Sequence, residues 1–364
     1  MPYRVAPYRV VQWTTGNVGR RSIRALIENP KFELIGCYVW SDEKDGRDVG
    51  ELAGLDPIGL AATRDVDALL ALEPDCVVYN PMWPDIDELG RILESGINVT
   101  ATAAFITGHA FGEEGRRRLE DACQRGRSSL VGSGMNPGFA NLLGLVTAGI
   151  CDRIDSISVL ESVDSTGYAS PETELPIGFT RPPTDPALPE MVRRGTAVFG
   201  DAVHMMAAAL ELEIDEVVCE SGFAVTTKKL ELGYMTIDEG CVAGIEASWQ
   251  GRCAGEKRID LKVRWRKGQS LEPDWPLEHG YLVEVEGRPC VKTKLEIRPP
   301  ADFEARSFED YMQLGMIITS LPAVNLIPAI CHAAPGIRTY ADLPLVTGAG
   351  FVTTRPPPGS RSNA

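Results

Sequence analysis

The feature that most constrains this chain is the turn Thr14-Thr15-Gly16-Asn17-Val18-Gly19. It follows a short β-rich run, YRVVQW at 8–13, and opens a segment of helical character. A glycine turn carries weight only in that setting, with a strand before it and a helix after it. There, Gly16 permits a tight turn and Gly19 lets the helix approach the strand. The backbone N–H groups of Asn17 and Val18 face an anionic pyrophosphate with the helix dipole behind them. The GxxG spacing is one glycine short of the full dinucleotide fingerprint, so the flanking pattern must supply the rest.

It does so by alternation. Residues 22–28 are helical and stop at Asn29-Pro30. The run FELIGCYVW at 32–40 is too continuous for a half-exposed strand and suits a parallel strand buried on both faces. A helix at 65–72, a strand at 75–80, a helix at 85–94, a strand at 97–102, a charged helix at 113–125 and a strand at 129–133 follow. This rhythm predicts a doubly wound parallel sheet of the Rossmann type over residues 1–150.

After a helix at 137–151 the pattern changes. Long strands succeed one another from 154 to 297, interrupted by one clear helix at 201–212. Short turns such as the one opening at Arg266-Lys267-Gly268 imply an antiparallel or mixed sheet, hence a second, α+β domain at 151–307. The proline-rich stretch 171–189 reads as a lid or a subunit arm. Residues 308–352 are read as a helix and strand returning to the first domain. The polar tail 353–364, with three successive prolines, reads as disordered.

Composition excludes several partners. The chain has 364 residues, enough for two domains, and a formal net charge of −15, which argues against nucleic acid or an anionic membrane. Nine cysteines without a CxxC pair read as reduced thiols in a cytoplasmic protein. The four histidines never take metal-ligand spacing, so no metal is expected. The apolar run 315–331 contains Pro322, Asn325 and Pro328, which favours a helix buried between domains over a membrane span.

The end of the second strand bears on the cofactor. An NAD enzyme places an acid there; here the order is Trp40-Ser41-Asp42-Glu43-Lys44. Arg20, Lys44 and Arg47, with room left by the small Ser41, suit a 2′-phosphate. NADP is therefore favoured over NAD, with Asp42 the argument for NAD. Ligands in such sheets lie beyond the carboxyl ends of the strands. That rule nominates Asn80-Pro81 after the fourth expected strand, Thr102 to Phe105 after the fifth, and Asn136-Pro137 after the sixth.

Three segments together resemble one family: TTGNVGRRSIR at 14–24, GSGMNPGF at 132–139 and AVNLIPAICHAAPGIRTYADLP at 323–344. They are similar to the dihydrodipicolinate-reductase-like oxidoreductases, the group that includes 2,4-diaminopentanoate dehydrogenase and the native amine dehydrogenases. The resemblance, over residues 8–350, implies an N-terminal Rossmann domain and a C-terminal domain that makes a homodimer. It also implies a cleft between them for a small-molecule substrate, and hydride transfer between NAD(P)H and an imine or amine carbon. Two features depart from it. The histidine-rich segment of dihydrodipicolinate reductase proper is missing. So is the catalytic Glu that amine dehydrogenases carry after the fifth strand, where this chain reads Thr100-Ala101-Thr102-Ala103-Ala104-Phe105.

A proton donor must then come from elsewhere. Alternation along 154–163 puts Val159, Glu161 and Val163 on one face, and a carboxylate among apolar neighbours is a candidate acid. Tyr168 is a candidate to orient a carbonyl or imine nitrogen. His109 lies close in sequence to the missing Glu. His204, on the helix VHMMAAAL, reads as a packed interface residue, and Asn325 as either a cleft residue or the cap of a kink. A ketone or aldehyde reductase that uses no ammonia, and a nucleotide-binding redox sensor, stand as rivals to an amine-type oxidoreductase.

Overall fold

A computed structural model describes residues 6–352 apart from 302 and 306. The first sheet is wholly parallel. Strand β1 (Tyr8–Trp13) pairs with β2 (Phe32–Tyr38) on one side and β3 (Cys76–Tyr79) on the other, and β4 (Asn98–Ala101) and β5 (Ser129–Gly132) extend it. Helices α1 (Asn17–Glu28), α2 (Val49–Leu52), α3 (Val66–Leu70), α4 (Ile86–Glu94) and α5 (Gly112–Gly126) make the connections. β3 is buried throughout, as a strand covered on both faces requires. The order reverses between β1 and β3, and the crevice for a ligand opens there.

Asn80, Thr102 and Asn136 therefore follow β3, β4 and β5 rather than a fourth, fifth and sixth strand. Between Tyr38 and Cys76 the described chain adds α2, α3 and two isolated bridges, Tyr38 to Thr63 and Asp48 to Ala61, but no further strand. The helix expected at 137–151 begins later, as α6 (Ala140–Ala148), because Asn136, Pro137 and Gly138 hold non-helical backbone angles.

The second sheet is mixed. Its strands are β6 (Arg153–Asp164), β7 (Glu216–Thr226), β10 (Val242–Cys253), β11 (Glu256–Arg266), β12 (Leu271–Glu272), β13 (Gly280–Arg288) and β14 (Val291–Leu295). The order is β12-β7-β10-β11-β6-β13-β14, with β6 and β11 parallel and the other pairs antiparallel. A hairpin of β8 (Leu230–Glu231) and β9 (Thr236–Ile237) stands apart.

The stretch 171–189 is not a free lid or arm. It holds α7 (Pro171–Glu174), and Ile177, Phe179 and Leu188 bury themselves in the main apolar core. The following segment forms α8 (Leu188–Gly195), a helix the sequence reading did not separate from the loop, before α9 (Val198–Ala209).

Helix α10 (Phe308–Ile330) runs back beneath the first sheet, packing on α1, β4 and β5, and β15 (Gly336–Arg338) then pairs with β5 as the sheet's sixth strand. By length and hydropathy 310–330 could cross a membrane. Here its residues Val324, Leu326, Ile327 and Ile330 share a core with Val10, Leu26 and Val131. The tail at 353–364 lies outside the described residues.

Candidate active site

The glycine turn is built differently from the sequence expectation in one respect. Gly16 has an ordinary φ of −70°, and the left-handed residue is Thr14, at 74°. The role expected of Gly19 holds for a steric reason: a Cβ there would stand 2.3 Å from the Thr14 carbonyl oxygen. Helix α1 can begin against the end of β1 only without that atom. A Cβ on Gly16, by contrast, would meet nothing within 4 Å.

Two observations at the turn and one in the cleft fit a dinucleotide. Space is open in front of Gly16, the helix start has no side-chain cap to consume its first N–H groups, and the buried Oδ1 of Asn136 has no partner in the protein. Asn17, Val18 and Gly19 would hold the pyrophosphate through their N–H groups, and Asn136 would accept from the nicotinamide carboxamide. Lys44 reaches back over the turn to Thr15 Oγ1 at 3.2 Å. Asp42 is engaged by Arg64 in an exposed ion pair.

Beneath the turn, Gln12 Nε2 donates to the Thr14 carbonyl at 2.9 Å and to Asn80 Oδ1 at 2.7 Å, and Asn80 Nδ2 donates to Thr102 Oγ1 at 2.7 Å. Gln12 and Asn80 are thus locked together across the switch point, with Thr102 tied to Asn80 on its far side. Gln12 was not anticipated; an amide within the run Val10–Trp13, otherwise apolar, was the available signal.

Between the sheets lies a cleft of about 760 Å³. Phe179, Phe199, Trp265 and Tyr281 come from the second domain, while Met312, Met316 and Thr319 come from the N-terminal half of α10. Asn325 is not among the lining residues, since it sits between one and two turns beyond Thr319, the last of them on that helix. Glu161 and Tyr168 both line the cleft. Glu161 Oε2 accepts from Asn136 Nδ2 at 2.8 Å, and its Oε1 accepts from Trp265 Nε1 at 2.8 Å. Burial pushes the carboxyl above the usual range, opposed by those two donors. Asn136 therefore joins the expected cofactor side to the carboxylate. The backbone there is shaped by glycine: a Cβ on Gly132 would lie 1.8 Å from the Phe105 carbonyl oxygen, and Gly138 has φ +135°.

His109 is not brought to this group. It lies outside the cleft lining, stacked on His204 with ring centroids 3.9 Å apart, and its Nδ1 is 2.7 Å from Thr107 Oγ1. The loop after β4 is instead pinned from the second domain by buried Asp201. Its Oδ2 accepts from the N–H of Thr107 at 3.2 Å and Gly108 at 2.9 Å, and its Oδ1 from that of Ala110 at 2.7 Å. Asp201, a lone acid on the apolar helix VFGDAVHMMAAA, and Trp265 were both missed by the sequence reading. Pro81 and Ser41 lie near the strand ends but make no side-chain hydrogen bond that positions them for the cleft among the described residues.

A parallel sheet with an open glycine turn at its switch point, facing a second-sheet wall that carries a carboxylate, defines an NAD(P)-dependent oxidoreductase of the Rossmann class. The model of the 2,4-diaminopentanoate dehydrogenase C-terminal domain matches residues 141–351. An amine dehydrogenase of Streptomyces virginiae is 32% identical over 356 residues, covering 92% of this chain and 96% of that one. A 2,4-diaminopentanoate dehydrogenase of Acetoanaerobium sticklandii is 27% identical, covering 71% and 70%. The solved amine dehydrogenase of Mycobacterium smegmatis shares the fold, with a TM-score of 0.76 at 18% identity over 94% of this chain and 98% of that one. The chain belongs to the 2,4-diaminopentanoate dehydrogenase family, within the amine-dehydrogenase-like NAD(P)-dependent oxidoreductases.

Proposed function

We propose that this protein interconverts an apolar amine that carries no carboxylate and the corresponding imine or ketone, with Glu161 as the proton-handling group. The observation that carries the reading is Glu161 in the cleft wall, held by Trp265 on one oxygen and by Asn136 on the other. When bound, the nicotinamide supplies or takes the hydride at the substrate carbon. In the oxidative direction Glu161 takes a proton from the substrate ammonium, freeing the nitrogen lone pair that assists hydride loss. It then moves protons between water and the iminium as that hydrolyses to ketone and ammonia. The walls exclude bulk water through Phe179, Phe199 and Trp265. Among the described residues lining the cleft there is no Arg or Lys to pair with a substrate carboxylate. That argues against an amino-acid substrate of the kind in the name 2,4-diaminopentanoate.

The test is NAD(P)H oxidation with cyclohexanone, with and without ammonium, in the wild type and Glu161→Gln. Ammonium-dependent turnover that falls about a hundredfold in the variant is expected. Equal turnover without ammonium would favour a plain ketone reductase, a reading to which the missing carboxylate after β4 also points.

For the cofactor we propose NADPH over NADH, supported by Lys44 above the turn and by Asp42 being engaged with Arg64. Dissociation constants tighter for NADH would refute it. A homodimer is proposed through the face of the second sheet opposite α6 and α9, where Glu246 pairs with Lys262 and Arg264 on a broad, partly buried surface. A monomer in light scattering at micromolar concentration would refute that. The described cysteines are all free, which supports a reducing, cytoplasmic setting.

A further inference from the structure

Behind Tyr168 lies a buried ion pair that the reaction described above does not use. The side chain of Lys267 is 0% exposed and that of Glu174 5%, and the ammonium contacts Glu174 Oε1 directly. The same Nζ donates to the carbonyls of Ser165 at 2.7 Å and Tyr168 at 3.4 Å, and to Tyr234 Oη at 3.0 Å. The Tyr234 hydroxyl, from the tip of the β8–β9 hairpin, donates in turn to the Thr166 carbonyl at 2.8 Å. Three carbonyls of one short loop are thereby taken from below by a single buried cluster. Tyr168 and Thr173 face the cleft from the segment so held.

Lys267 also stands two residues after Trp265, at the end of β11, and Trp265 holds Glu161. One strand end thus fixes the cleft carboxylate through an indole N–H and the Tyr168 loop through an ammonium. Taking such a charge out of water is costly, and a buried pair is weak evidence of stabilisation. Burial pushes Glu174 up to about 7 and Lys267 down, so the site costs charge solvation on both sides. A hydrophobic pair would hold a loop more cheaply. It could not satisfy three acceptors at one point.

We propose that Lys267, with Glu174 as its counter-ion, is a positioning residue that sets Tyr168 against Glu161 across the substrate. The proposal rests on the reading of the cleft given above. Lys267→Met alone leaves Glu174 buried and unpaired and is expected to lower thermal stability. The informative variant is therefore the neutral double, Lys267→Met with Glu174→Gln, in the full chain. Its melting temperature is expected to recover most of the loss of the single variant. Amide hydrogen exchange over 165–168 should still be faster than in the wild type by roughly tenfold or more. kcat/KM for cyclohexanone, per folded molecule, should stay on the order of tenfold to a hundredfold low, as misplaced groups in a cleft cost. In a Tyr168→Ala background the same double change should cost no further turnover.

Recovery of turnover along with stability would overturn the proposal and leave a purely structural pair. Faster exchange with unchanged turnover, or a full further loss in the Tyr168→Ala background, would overturn it too. Because turnover here is followed by cofactor oxidation with or without ammonium, a wild type indifferent to ammonium would sink the amine reading alone. The exchange and turnover comparison would remain decisive for Lys267.

Discussion

The two walls of the cleft are made from opposite materials. The Rossmann wall is neutral: backbone N–H groups at the start of α1, the Thr102 hydroxyl backed by the hydrogen-bonded amides of Asn80 and Gln12, and the amide of Asn136. The opposite wall is charged, with Glu161, Asp164 and Glu174 lining it and Lys267 behind. The contrast follows from what each must do. A cofactor brings its own charge and needs fixed dipoles that do not titrate, whereas a substrate amine needs a group whose proton can leave and return. Asn136 joins the two, through its hydrogen bond to Glu161.

The sharpest way to break that contrast is at the neutral wall. Gly19→Val would drive a side chain onto the Thr14 carbonyl and tilt the start of α1. A loss of cofactor affinity of about a hundredfold or more is expected by isothermal titration, with the second sheet unaffected. Gly16→Ala is the control. Its φ and open surroundings should leave the melting temperature unchanged, while the methyl group enters the space meant for the pyrophosphate and weakens binding by a smaller factor. Wild-type cofactor affinity in Gly19→Val would remove the turn from the site.

At the charged wall, Trp265→Phe withdraws one of the two donors that favour ionised Glu161. The carboxyl should rise further, so the acid limb of the pH–rate profile should move to higher pH by about one unit, with turnover down several-fold. A limb that does not move would show that the profile belongs to another group.

The smallest effect is expected where the two domains touch outside the cleft, at His109 and His204. Burial, reinforced at His109 by the neighbouring His204 ring, lowers both imidazoles below the usual 6.5. The unfolded chain then binds these protons more readily than the folded one. The corresponding stability is complete above pH 6.5 and lost as the pH falls through the lowered values. Melting temperature followed from pH 7.5 to 5 should decline less steeply in His204→Gln. Equal slopes would remove the pair from the linkage.

The difference between the walls also explains what could be read in advance. The turn, Asn80, Thr102 and Asn136 were legible because each sits at the end of a strand whose position follows from local alternation. Glu161 was legible for the same reason, as an acid on an apolar face of β6. Its partner Trp265 is 104 residues away, and Lys267 is 93 residues from Glu174. No periodicity joins such positions: the parallel pairing of β6 with β11 brings Trp265 to Glu161, the packing of α7 brings Glu174 to Lys267, and a run of strands does not disclose which ones become neighbours. His109 was nominated by nearness along the chain to a missing acid, and the fold turns that loop toward Asp201 instead. The proline-rich stretch misled because its turn residues were easier to see than its three buried apolar anchors.

The return of α10 and β15 to the first sheet has a consequence for how the protein is made. Val10, Leu26 and Val131 leave the ribosome well before Val324, Leu326, Ile327 and Ile330, which cover them and follow the whole second sheet. β5 likewise waits as an open edge until Gly336–Arg338 pairs with it. A nascent or truncated chain ending near residue 150 thus presents a bare apolar face and an unpaired strand, the two features that invite chaperones and aggregation. The cofactor-binding half, made before the second sheet, is completed only when residues 324–338 have followed it.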